Sequence, residues 1–365
     1  MLSSIAICTL LVGSGDGLYG SSTHAPEITS VRAKGRGFGA EADKAGPIGG
    51  GQGYLDRPEG REHVVTDLDG LIEALGAAQA GETIFLPGAT VIDCTAMVLM
   101  EGLVLELPGG VILASDRGVD GSPGALLFSD ELKTSPLLRI GGEDARVSGL
   151  RLRGPDPERR LDHHRRTLVL AKDRDLYYQL PTSAGIDCSF DRLRVDNCEL
   201  AGWSHAAIYL RRGTGHRVDH SFLHRNQRQG LGYGVCLDIA EALIERNLFD
   251  WNRHSIAATG RPGSGYEARH NVERGESLSH LFDMHGGRDR KDGTNIAGTW
   301  MKVTHNAFFC TKTAVKVRGE PEERVWVDGN WFVHESPGQA VRGESRTHLG
   351  TNAYGLKSPR VIEGR

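Results

Sequence analysis

The chain has 365 residues, and its 43 Lys and Arg against 47 Asp and Glu leave a formal charge of −4. That near balance excludes a polyanion-binding protein held by bulk charge, so no nucleic-acid partner is expected. The 49 glycines suit a turn-rich architecture, and the length suffices for one elongated domain with a continuous core.

In chain order, the first feature is the apolar run Ile5–Val12. It is too short to span a membrane and reads as the core of an export signal ending near Thr23-His24-Ala25, although no Lys or Arg precedes it. Residues 1–25 are therefore expected to be a signal segment, and the protein to be secreted or periplasmic. Without that segment five cysteines remain, Cys94, Cys188, Cys198, Cys236 and Cys310, with no metal-type Cys-x-x-Cys spacing. Gly35–Gly53 is glycine-rich but lacks the strand-turn-helix setting of a nucleotide loop, and reads as a wrapped lead-in. Asp67–Gln79 has helical apolar spacing with an Asp at its start, as befits a helix closing one end of a larger coil. Strands are expected at Thr83–Leu86, Leu103–Leu107, Val111–Leu113 and Leu137–Ile140. An insertion follows at about Gly154–Thr182, with His163, His164, Arg165, Arg166, Tyr177 and Tyr178.

From Val195 one short phrase recurs: Val195-Asp-Asn-Cys-Glu-Leu, then from Val218, Ile244, Ala268, Val303 and Val327, at intervals of 23, 26, 24, 35 and 24 residues. Such a period marks a solenoid, in which each unit buries its apolar face against the next. The repeat has no room for paired helices. The first five phrases are each followed by a second alternating run, Ile208-Tyr-Leu210, Val235-Cys-Leu237, Ile256-Ala-Ala258, Phe282-Asp-Met284 and Val315-Lys-Val317. Two or three short strands in each turn describe an all-β parallel β-helix. The fourth place of the phrase holds Cys198, Ser221, Asn247, Asn271, Asn306 and Asn330. These are read as a structural stack at a left-handed bend, a conformation asparagine tolerates.

The Gly37-Phe-Gly-Ala40 lead-in, the capping helix, Phe85-Leu-Pro-Gly88 and the Asn-marked coils resemble the pectate-lyase-like superfamily, over roughly residues 30–345. Val218-Asp-His-Ser-Phe222 resembles the phrase such enzymes carry in one coil. The resemblance implies a single right-handed parallel β-helix domain with an N-terminal capping helix, leaving 346–365 as an irregular tail. It implies a carbohydrate-active protein, although these coils host lyases, hydrolases, epimerases and inert adhesins. Only Arg261-Pro262 stands where pectate lyases show Arg-x-Pro-x-x-Arg, so pectate is not the expected substrate.

Outward positions of the second run carry the candidate chemistry. Stacked about 4.8 Å apart, Lys316 should lie beside Asp283 and Arg318 beside His285 on one exposed sheet. Asp283-Met-His285 resembles the Asp-x-His of mannuronan C5-epimerases, with His280-Leu281 replacing their Tyr-Gly. Removal of a uronic acid's C5 proton requires a neutralised carboxylate, a base and an acid. Arg318 suits bidentate binding of the carboxylate, His285 or Lys316 the base, and Tyr209 or Tyr266 the acid. Arg211, Arg261, Tyr266, His254 and His280 are expected to bind substrate, the two histidines stacking just before their strands. Asp238 with Asp283 offers an inverting hydrolase pair instead.

The sequence assigns no metal outright. One Asp and one His leave a zinc set incomplete, while Asp289, Asp292 and Asn295 in the loop Gly286–Gly298 could hold Ca²⁺. The expectation is a monomer that cleaves an acidic polysaccharide by β-elimination, with no membrane span. Hydrolysis, C5 epimerisation and plain glycan binding are the alternatives.

Overall fold

The structure, a computed structural model, describes residues 25–155, 165–357 and 360–363. The apolar leader and the insertion's His163 and His164 lie outside the described residues. Three sheets run along the solenoid, with eleven, eleven and nine strands, and each complete coil contributes one strand to each. Apart from one antiparallel edge strand, Arg360–Ile362, pairing within these sheets is parallel. Along the second sheet the phrases stack in register, Leu200 on Leu223 on Phe249.

The core is a set of apolar columns. Val147, Val195, Val218, Ile244, Ala268, Val303 and Val327 are buried on the first sheet, while Phe308, Phe332 and Tyr354 form an aromatic stack under the second. Asp67 caps the helix Leu68–Ala77 by accepting from Gly70 N at 2.8 Å, and Leu71, Ala74 and Leu75 press on the end of the column. That helix covers the apolar layer an open coil would expose.

Asparagines join the first and second sheets. Asn247 N donates to Asn271 Oδ1 at 3.0 Å, Asn271 N to Asn306 Oδ1 at 2.9 Å and Asn306 N to Asn330 Oδ1 at 2.9 Å. Ser221 and Cys198 continue the row, and so does Asn352, whose Oδ1 accepts from Asn330 N at 2.9 Å. The left-handed residue is not the asparagine. It precedes it, at Asn197, His220, Arg246, His270 and His305 with φ of 45–55°. The asparagine keeps an ordinary backbone, so both ends of its amide can serve neighbouring coils.

Asn352 also corrects the expected irregular tail. Thr347–Leu349 and Asn352–Tyr354 add one more coil, pairing with the strands at Arg324–Asp328 and Trp331–Phe332. Its short segments carry the ladder asparagine without the full six-residue phrase.

The glycine-rich lead-in crosses the coils as a strap. Gly39 N donates to Gly329 O, Gly49 N to Arg246 O and Gly51 N to Asn197 Oδ1. At Gly50, with φ of +67°, a Cβ would stand 2.2 Å from the His220 carbonyl oxygen, so only glycine lies flat there.

The described part of the insertion forms a helix at Arg174–Gln179. Arg228 fastens it by donating to the Tyr177 and Leu180 carbonyls at 3.1 and 3.0 Å. All five described cysteines are buried free thiols. No helix among the described residues is long and apolar enough to cross a membrane.

Candidate active site on the third sheet

The third sheet is built from the second alternating runs, and its register is continuous: Tyr209 on Cys236, Cys236 on Ala257, Ala257 on Asp283, Asp283 on Lys316 and Lys316 on Arg342. Alternation breaks just before this column. Leu281 and Phe282 both enter the core, as do Ala207 with Ile208 and Ala314 with Val315. Outward positions therefore fall at His280, Asp283 and His285, spaced by three and then two. That irregularity carries His254 and His280 out of the turn and onto the face beside Asp283.

Asp283 is fully buried by the side chains around it. Arg318 Nε donates to its Oδ1 at 3.0 Å and Arg318 Nη2 donates to Oδ2. Three imidazole Nε2 atoms face the same carboxylate: His280 at 3.1 Å from Oδ1, His285 at 2.9 Å from Oδ2 and His254 at 3.7 Å from Oδ2. These contacts are close but off the line of a well-aligned hydrogen bond. Burial pushes the Asp283 carboxyl up, yet the contacts from His280 and His285 and the adjacent charges outweigh it and hold it well below the usual carboxylate range. Burial drives His254 well below its ordinary value, and a smaller burial effect lowers His280. The His254 ring lies 4.0 Å from the His280 ring and stacks at 5.8 Å on Tyr233. Its Nδ1 donates to the His280 carbonyl.

Lys316 is half-buried, one coil from Asp283, and has no ion-pair partner among the described residues. Arg318 differs from expectation. Its Nε and Nη2 go to Asp283 and its Nη1 to Asp289 at 3.0 Å, so its donors already serve protein carboxylates. It orients the site rather than presenting a free fork to substrate.

Tyr266 belongs to the first sheet, not the groove, and is buried in the core, where its hydroxyl donates to the Asp283 carbonyl at 3.3 Å. The expected acid and subsite role is corrected: the residue supports the site from beneath. Tyr209 faces outward but three strands from Asp283, about 14 Å along the stack. It is covered by Arg211, whose guanidinium lies 4.2 Å from its ring, and by His205. Tyr233, absent from the expected site, is the phenol whose ring stacks on His254. Its hydroxyl donates to Gly230 O at 3.1 Å, and burial pushes its pKa up. The turn signal Gly-Leu-Gly-Tyr before an alternating run was the available clue, masked by the shifted alternation.

Asp238 sits in the His285 column, accepting from Thr259 Oγ1 at 2.6 Å and from Arg261 Nη1 at 3.1 Å. Arg211 Nε donates to Asp187 Oδ2 at 2.6 Å, and Arg211 and Arg261 are both roughly half exposed. They line the sheet toward its N-terminal coils. The loop carboxylates do not converge: Asp289 binds Arg318 and Gly286 N, Asp292 binds Arg290 and Thr294, and Asn295 donates to Glu344. The grouping that could hold a metal ion among the described residues is instead His254, His280 and Asp283, with ligand atoms within 4.8 Å of one another.

No family profile matches the chain, and no curated protein matches it. A solved alginate lyase from Paenibacillus sp. str. FPU-7 superposes with a TM-score of 0.52 at 12% identity, covering 80% of this chain and 94% of that one. The chain has a right-handed parallel β-helix fold. A family 28 exopolygalacturonase from Yersinia enterocolitica matches with a TM-score of 0.48 at 10% identity over 81% of this chain and 63% of its own. At these identities the likeness is one of fold. The parallel β-helix frame accounts for three parallel sheets and an exposed face, and the chemistry on that face has to be read from its own residues.

Proposed function

We propose that the third sheet binds an acidic, uronic-acid-containing polysaccharide and cleaves it by β-elimination. The observation that carries the reading is Lys316, a half-buried ammonium without an ion-pair partner among the described residues, held one coil from the Asp283–His285 pair. An ammonium in that setting can neutralise a substrate carboxylate, which acidifies the proton on the adjacent C5. Asp283 facing His285 Nε2 favours the tautomer with a proton on Nε2, leaving the Nδ1 lone pair to act as base. The C5–H bond breaks with its proton passing to Nδ1, its electron pair forms C4=C5, and the C4–O bond breaks. The leaving oxygen takes a proton from water or from Lys316. Arg318 fixes Asp283, while Arg211 and Arg261 supply subsites along the sheet. Fold likeness to an alginate lyase agrees with this substrate class, and export of the protein belongs to the same reading.

Hydrolysis by Asp238 and Asp283 is less favoured, because Asp283 is fully enclosed and committed to Arg318 and three imidazoles. The test is ultraviolet absorbance at the unsaturated-uronate band over a panel of uronic-acid glycans. Growth of that band supports elimination. New reducing ends without it point to hydrolysis, C5 proton exchange alone to epimerisation, and binding without any turnover to a non-catalytic glycan-binding coil.

A further inference from the structure

The grouping at Asp283 has a property that elimination by Lys316 and His285 does not use. His254 is completely buried, and its Nδ1 proton is committed to the carbonyl of His280. In the neutral ring the lone pair on Nε2 then points at Asp283 Oδ2, 3.7 Å away, with no hydrogen-bond partner. Two acceptors aimed at each other in a buried pocket are repulsive unless a cation lies between them. Beside them, His280 Nε2 stands 3.1 Å from Oδ1 of the same carboxylate, also without an aligned hydrogen bond, while its Nδ1 contacts Ser279 Oγ at 3.2 Å.

We propose that His254 Nε2, His280 Nε2 and the Asp283 carboxylate form a binding site for a divalent transition metal of the Zn²⁺ class. Ligand atoms around a tetrahedral Zn²⁺ at its usual bond lengths are about 3.3 Å apart. The separations, 3.1 Å from His280 to Oδ1 and 3.7 Å from His254 to Oδ2, bracket that edge at the two carboxylate oxygens, and with one ligand atom from each residue all three lie within 4.8 Å of one another. The outer contacts match those that fix metal-bound histidines: one ring nitrogen takes the metal while the other is held by a carbonyl or hydroxyl. Arg318 holds the ligating carboxylate from behind. His254 and Asp283 are enclosed, whereas the side chains of His280 and His285 are 11% and 21% exposed, so entry is from the groove. Three protein ligands leave a fourth position on that side, the arrangement of a reactive site rather than a closed structural one. Imidazole and carboxylate together favour Zn²⁺, Co²⁺ or Ni²⁺ over Ca²⁺, which takes oxygen ligands only. A role for the open position in receiving the uronate carboxylate rests on the elimination reading; the binding site itself does not.

The experiment uses the full chain, stripped with a chelator and titrated with Zn²⁺ by calorimetry and with Co²⁺ by visible absorbance. The expected result is one ion per chain and Co²⁺ bands of tetrahedral or five-coordinate type. His280→Gln and His254→Gln should each weaken binding at least 100-fold, with binding unchanged in His348→Gln, an exposed histidine elsewhere. Should His254→Gln not fold, the partly exposed His280→Gln, checked by circular dichroism, carries the test. Absence of saturable uptake, or uptake indifferent to His280→Gln, overturns the site. Activity separates the two readings. A protein that binds Zn²⁺ through these residues but eliminates nothing leaves the metal site standing and the lyase reading fallen. Elimination without Zn²⁺ uptake does the reverse.

Discussion

Two parts of this solenoid bury polar side chains completely, and they do so in opposite ways. Along the asparagine ladder every amide meets a backbone group or another amide one coil away: Asn271 accepts from Asn247 and gives to Ile244 O and Asn306 Oδ1. At Asp283 the partners are charged or titratable side chains from three coils, His254, His280 with His285, and Arg318. The ladder is neutral, periodic and saturated. The Asp283 cluster is charged and aperiodic, and several of its polar atoms lack an aligned bond. Repetition marks polar groups that serve the fold. A buried cluster that occurs once, on the exposed-sheet side, marks a place where the fold has been bent to another purpose.

That contrast can be broken most sharply at Asp283 itself. Asp283→Ala leaves three imidazoles without their anion and Arg318 with Asp289 alone, and should cost roughly 3–5 kcal/mol of unfolding free energy by urea denaturation as well as all elimination. A fully stable variant would show that the cluster's charge balance was misjudged. Next in size, Lys316→Ala should lower the elimination rate by about 10²–10³-fold while leaving the urea midpoint nearly unmoved, because it removes a half-buried cation that makes no ion pair among the described residues. Equal activity would remove the residue on which the functional reading rests. On the ladder, Asn271→Ala should cost roughly 2–3 kcal/mol of stability but keep full activity per folded molecule, the converse of Lys316→Ala.

Acid should act on stability in one direction. Burial, with smaller effects of Arg211 and Arg228, lowers His205 to about 4, and burial, with Arg246 and His305, lowers His270 to about 4. Folded chains therefore bind fewer protons than unfolded ones between about pH 6.5 and 4. Their contribution is complete above 6.5 and is lost as pH falls toward 4, by about 1.4 kcal/mol per pH unit for each histidine kept neutral. Melting temperatures flat from pH 7 to 5 would contradict it. The smallest effect is expected for Asp238→Asn, which disturbs a partly exposed pair with Arg261 and should change elimination less than about threefold. A large loss there would bring the hydrolase pair back.

Much of the fold was legible because a solenoid writes its architecture locally. The recurrent phrase, the alternating runs and the Asp67-capped helix each report a contact repeated at a constant offset, so spacing alone carries the strand stacking. The row of buried asparagines was legible for the same reason, but their backbone was not. Residue type favoured a left-handed asparagine, whereas the hydrogen bonds at both ends of the amide require the bend to sit one residue earlier. Asn352 escaped because its coil carries too little of the phrase to be counted.

By itself the sequence determined a parallel coil, its register through Asp283 and Lys316, and which alternate residues fill its core. Tertiary structure alone decided that two successive core residues, Leu281 and Phe282, shift the outward positions and bring His254 and His280 to Asp283. It also decided that Arg318 spends its donors on Asp283 and Asp289, and that Tyr266 lies beneath the site rather than in it. The physical reason is that strand pairing obeys a constant offset along the chain. The direction and partners of a charged side chain depend on which neighbours, many residues away, compete for it.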